Sequence, residues 1–95
     1  MARAVFDGVV IAESNDITVT GGITYFPASS VTNGSLLESP TTTRCSWKGK
    51  ASYFHVDNGE DTALDAAFAY HRPWLPARRL VGGRVGFWRE VSIEK

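Results

Sequence analysis

Thr41-Thr42-Thr43-Arg44-Cys45-Ser46-Trp47-Lys48-Gly49-Lys50-Ala51-Ser52-Tyr53-Phe54-His55-Val56 is the stretch that decides the fold. It holds the only cysteine of the chain together with a tryptophan, two lysines, a tyrosine and a histidine. From Ala51 onward it is rich in aromatic and β-branched residues, and it stops at Asp57-Asn58-Gly59, so it reads as a strand running into a turn. A strand of that character belongs inside a sheet, and the flanking sequence must supply its neighbours.

Working outward toward the amino terminus, Ser35-Leu36-Leu37-Glu38 reads as a short strand closed by Ser39-Pro40. Before it, Ala28–Val31 suits a single helical turn after Pro27, which has no donor to continue a ladder. Ile17–Thr20 and Ile23–Phe26 alternate cleanly around Gly21-Gly22, and Ala4–Phe6 and Val9–Glu13 flank Asp7-Gly8; both are hairpin patterns. In the first hairpin Val9, Ile11 and Glu13 share a face, which places an acid at the end of an apolar row.

Toward the carboxyl terminus, Asp57–Asp61 is an acidic turn without the alternating oxygen spacing of a calcium loop. Thr62–Tyr70 carries conflicting signals. Thr62 with Asp65 resembles a helix cap, and four alanines favour helix locally. Alternation of Phe68 and Tyr70 and the nearby Pro73 favour a strand over Ala66–Tyr70. Pro73-Trp74-Leu75-Pro76 reads as a rigid loop, Ala77–Val81 as one turn of helix ended by Gly82-Gly83, and Arg84–Trp88 and Val91–Ile93 as closing strands. The expectation is one mainly antiparallel all-β domain over residues 1–95.

Composition limits the function classes. At 95 residues the chain can build one modest core, and 43% hydrophobic residues are enough to fill it. Zero formal net charge argues against a chain devoted to nucleic acid or an anionic membrane. A single cysteine allows neither an internal disulfide nor a multi-cysteine zinc site, and fits a reducing compartment. No apolar run approaches the roughly 20 residues that span a bilayer, and no signal-peptide pattern is present. A soluble cytoplasmic protein without a cofactor or metal is expected, and a homodimer is left open.

Four landmarks occur in a recognisable order. They are Tyr25-Phe26-Pro27; Thr43-Arg44-Cys45-Ser46-Trp47-Lys48-Gly49-Lys50-Ala51-Ser52-Tyr53; Phe68-Ala69-Tyr70 ahead of Pro73; and Gly83-Arg84-Val85-Gly86-Phe87. Together they resemble the small bacterial and fungal domain of unknown function 427 family over nearly the whole chain. Ser46 stands where that family usually has proline, and Phe68 where it usually has tryptophan. The resemblance implies a β-tent-like domain without zinc cysteines, and it implies no catalytic residues. The nucleotidyltransferase label sometimes attached to the family finds no support: the chain lacks paired carboxylates for magnesium and a glycine-rich phosphate cradle.

Two readings of the central stretch stay open. In the first, Tyr25, Trp47, Lys48, Tyr53 and Tyr70 line a pocket for a small anionic or planar ligand, with Glu13 as the internal partner of Lys48. In the second, Cys45 or Lys48 acts covalently while Glu13 or His55 moves a proton. Against these stand plainer roles: Cys45 as a small buried hydrophobe, Lys48 and Glu13 as solvated charges, the aromatics as packing. A nucleic-acid surface built from Arg72, Arg78, Arg79, Arg84 and Arg89 with Trp74 and Trp88 is a weaker third reading, and metal binding by His55 and His71 with Glu13 weaker still.

Overall fold

A computed structural model describes residues 1–45, 49–70 and 77–95. The strands are β1 (Ala2–Phe6), β2 (Val9–Ser14), β3 (Thr18–Thr20), β4 (Ile23–Pro27), β5 (Leu36–Cys45), β6 (Gly49–Asp57), β7 (Thr62–Tyr70), β8 (Arg84–Phe87) and β9 (Ser92–Glu94). A 3-10 turn covers Ala28–Ser30, and one short helix, α1, covers Ala77–Val81. The fold is all-β, as the alternation implied. Two antiparallel sheets form, one of three strands in the order β2-β1-β9 and one of six in the order β3-β4-β8-β7-β6-β5.

Both short hairpins turn where glycine was expected to turn them. Asp7 and Gly8 have φ of 49° and 79°, and Gly21 and Gly22 have φ of 61° and 79°. Two successive positive-φ residues match the right-handed twist of the arms they join. The decisive strand lies inside the large sheet: β6 pairs with β5 on one side and β7 on the other.

Two expectations need amendment. The short strand that Ser39-Pro40 is expected to close continues through them to Cys45. Proline can sit there because β5 is an edge strand and Pro40 falls in a register irregularity between Glu38 and Thr42, where no ladder donor is required. The segment over Ala66–Tyr70 is a strand as expected, but it begins earlier, at Thr62. The cap-like Thr62 and Asp65 start no helix. Pairing with β6 and β8 outweighs the alanines, and Asp65 instead takes a left-handed φ of 53° at a bulge.

The main core lies between the two sheets. Ala2, Ala4 and Phe6 of β1 and Ile11 and Ala12 of β2 meet Phe26, Val56, Ala67, Val85 and Phe87 of the large sheet. Phe26 and Phe87 pack edge to face at 5.8 Å between ring centroids. The opposite face of the large sheet carries a second cluster. Tyr25, Phe68 and Val81 are buried in it, with Ile23, Tyr53, Tyr70 and Trp88 packed around them. No helix among the described residues is long and apolar enough to cross a membrane.

Candidate functional site

The second cluster is built by strand register. Tyr25, Gly86, Phe68 and Tyr53 stand in one row across β4, β8, β7 and β6. The glycine in this row is a spatial necessity. A Cβ at Gly86 would lie 2.9 Å from the Ile23 Cγ2, 2.9 Å from the Tyr25 Cε2 and 3.2 Å from the Phe68 Cζ. Its absence lets Tyr25 and Phe68 meet edge to face over the strand, with centroids 6.0 Å apart. Phe68 also contacts the rings of Tyr53, Tyr70 and Trp88 at 5.5, 6.1 and 6.0 Å. Tyr25 and Phe68 are buried, whereas Tyr53, Tyr70 and Trp88 keep part of their surface in solvent.

Beside the aromatics lies a polar seam organised by Asp65. Its carboxylate accepts hydrogen bonds from the Ser39 hydroxyl at 2.5 Å and the Thr41 hydroxyl at 2.8 Å. Its amide donates to His55 Nδ1 at 3.0 Å, and its carbonyl accepts the Trp88 indole N–H at 2.6 Å. The register of β5 slips beside Ser39–Thr41 and that of β7 beside Asp65, one on each side of β6. The carboxylate therefore reaches across the central strand from one irregularity to the other. The Ser39 and Thr41 hydroxyls, in that order, hold the Asp65 carboxyl below the usual carboxylate range. The bond from the Asp65 amide also fixes the imidazole: Nδ1 accepts, so the ring is neutral with its proton on Nε2.

Several nominated residues meet here. Tyr25, Tyr53 and Tyr70 share the aromatic cluster, and His55 borders it through Asp65. Tyr53 adds a hydroxyl contact of 3.2 Å to Thr43. Glu13 sits elsewhere. It is exposed at the end of β2 in the three-stranded sheet, directly across from Arg3, and forms an ion pair with it. Trp47 and Lys48 lie outside the described residues, as do His71, Arg72, Trp74 and the side chains of Cys45 and Arg79. Arg84 is engaged by Asp16, with one guanidinium nitrogen on the carboxylate and another on the carbonyl, each at 2.8 Å. Arg89 stacks 4.5 Å from the Trp88 ring centroid and donates to the Leu64 carbonyl.

No motif or periodicity in the sequence marks Asp65, Ser39 or Thr41. In the sequence Thr62-x-x-Asp65 resembles a cap and Ser39-Pro40 a strand end, so neither irregularity stands out from ordinary punctuation. The usable signal was a lone aspartate within an otherwise apolar strand, since such a carboxylate needs partners. Among the described residues no three His, Cys, Asp or Glu side chains gather to hold a metal ion. A separate cavity of about 270 Å³, lined in part by Val10, Thr32, Asn33, Asp57 and Asn58, contains none of the nominated residues.

Fold and site together define an antiparallel two-sheet β domain whose large sheet carries an aromatic face bordered by an aspartate-centred hydrogen-bond seam. The model of the family described as Domain of unknown function (DUF427) matches residues 1–95, and the chain belongs to that family. A comparison with curated proteins found no match.

Proposed function

We propose that the protein is a small binding module that holds a planar or anionic molecule against the half-buried margin of the aromatic cluster, with Lys48 as the cation. The observation that carries this reading is the gathering of Tyr53, Tyr70 and Trp88 around Phe68, beside a polar seam in which the Asp65 carboxylate and carbonyl are both hydrogen-bonded. Apolar walls with a few fixed polar groups are what small-ligand sites use. The enzymatic alternative, Cys45 or Lys48 with Glu13 or His55 for proton transfer, is less well supported. Glu13 is tied to Arg3, and the Nδ1 lone pair of His55 already accepts the Asp65 amide. The nucleic-acid alternative is weakened because Arg84 and Arg89 are engaged within the chain.

Thermal-shift titration with indole-3-carboxylate, benzoate and adenosine monophosphate tests the proposal. At least one of these planar anions should raise the unfolding midpoint in a concentration-dependent way, because binding to the folded state alone stabilises it. Lys48→Ala should lose that shift while keeping its ligand-free midpoint. No shift with any probe, or an undiminished shift in Lys48→Ala, would overturn it.

A further inference from the structure

We propose that the Leu64–Asp65 peptide is a proton-driven switch, held in its present orientation by neutral His55 and flipped when His55 takes up a proton. The inference needs no ligand and stands apart from the binding role.

One peptide unit faces two ways here. Its N–H, from Asp65, points at His55 Nδ1 at 3.0 Å, and its C=O, from Leu64, accepts from the Arg89 guanidinium at 3.2 Å. The arrangement requires Asp65 to adopt a φ of 53°, a left-handed conformation that costs an L-residue energy and that aspartate tolerates better than most. A proton on Nδ1 removes the acceptor and sets two N–H groups against each other. Rotation of the peptide by about half a turn answers both problems. The Leu64 carbonyl would then face the new Nδ1–H, and Asp65 would return to extended backbone.

Two charged side chains border this peptide and its imidazole partner. From β7 the Asp65 carboxylate lies 3.7 Å from Nδ1, beyond hydrogen-bond reach, so it acts on the imidazole through its charge and leaves the Nδ1–H to the Leu64 carbonyl. From the segment after β8, Arg89 is the opposing cation, and it loses its Leu64 acceptor in the flipped state. On β5 the residues at this seam are Leu37, Ser39 and Thr41, none of which carries a charge. The consequence of the flip reaches the aromatic face, because Asp65 also holds the Trp88 indole and Arg89 lies on the Trp88 ring.

Nitrogen-15 NMR of the full chain between pH 8 and 5 provides the test. Protonation of His55 at Nδ1 should move the Asp65 amide, the Arg89 side-chain N–H and the Trp88 indole N–H with one shared midpoint. The Asp65 amide should lose its exchange protection over the same interval. In His55→Gln, whose side-chain oxygen accepts at every pH in this range, the three signals should stay flat. The proposal is overturned if His55 titrates while the Asp65 amide remains protected and unshifted. It is equally overturned if the three signals move in His55→Gln as they do in the parent chain, or if His55 stays neutral down to pH 5.

Discussion

The rings of Tyr25 and Phe68 meet edge to face, 6.0 Å apart, across a strand that contributes only Gly86 between them. This contact lies at the centre of the cluster on the outer face of the six-stranded sheet. It gives the domain a second apolar cluster besides the core between the sheets.

Gly86→Ala should therefore destabilise the fold by about 1–3 kcal/mol, the usual cost of forcing an extra methyl into a packed site. Two of the three neighbours are ring atoms that cannot yield independently, and the third is a β-branched methyl. Urea denaturation measures the change. A loss of only a few tenths of a kcal/mol would mean that the row is looser than its distances indicate.

Trp88→Phe should keep most of the ring packing while removing the indole donor from the Asp65 carbonyl. A part-buried acceptor left without its partner costs about 1–3 kcal/mol. If the loss is of that size, Trp88→Phe and Asp65→Asn should also be non-additive in a double-mutant cycle, because both act on one network. Additive effects would show that the indole bond and the carboxylate are energetically separate.

Much of this architecture was legible in the sequence because it rests on local chemistry. Asp7-Gly8 and Gly21-Gly22 announce their turns, and Ala51–Val56 declares a central strand by composition. Tyr25, Tyr53 and Tyr70 could be nominated as one aromatic group since each sits in a strand with period-two alternation. Asp65 was not legible in the same way. Its importance arises from two register irregularities on opposite neighbours of β6, and neither leaves a periodic signature. Glu13 illustrates the converse. Its place at a strand end was readable, but its partner depended on which strand lay opposite, and register supplied Arg3.

The Arg3–Glu13 pair should behave as an exposed ion pair, with both side chains well hydrated at 48% and 39% exposure. A double-mutant cycle of Arg3→Ala and Glu13→Gln should show coupling at low ionic strength that vanishes near 1 M salt, where the Debye length falls to about 3 Å. A cycle of Glu13→Gln with Lys48→Ala should show no coupling under either condition. Coupling of Glu13 to Lys48 would restore the idea that these two charges serve one another.

Acid should act on the fold through Asp65. The Ser39 and Thr41 hydroxyls stabilise the ionised carboxylate, so its acid constant is depressed in the folded chain. A depressed carboxyl contributes stability that is fully present above the ordinary aspartate value of about 3.9, and that is lost as pH falls through the lower folded value. The parent chain should consequently weaken on acidification below about pH 4 more steeply than Asp65→Asn, whose side chain has no proton to gain. Asparagine also tolerates the left-handed backbone at this position, so the variant isolates the charge from the conformation. Denaturant midpoints at intervals from pH 6 to 3 would measure both slopes. Parallel slopes would mean that the two hydroxyls do not favour the carboxylate over the acid, and that acid sensitivity originates at other carboxyl groups.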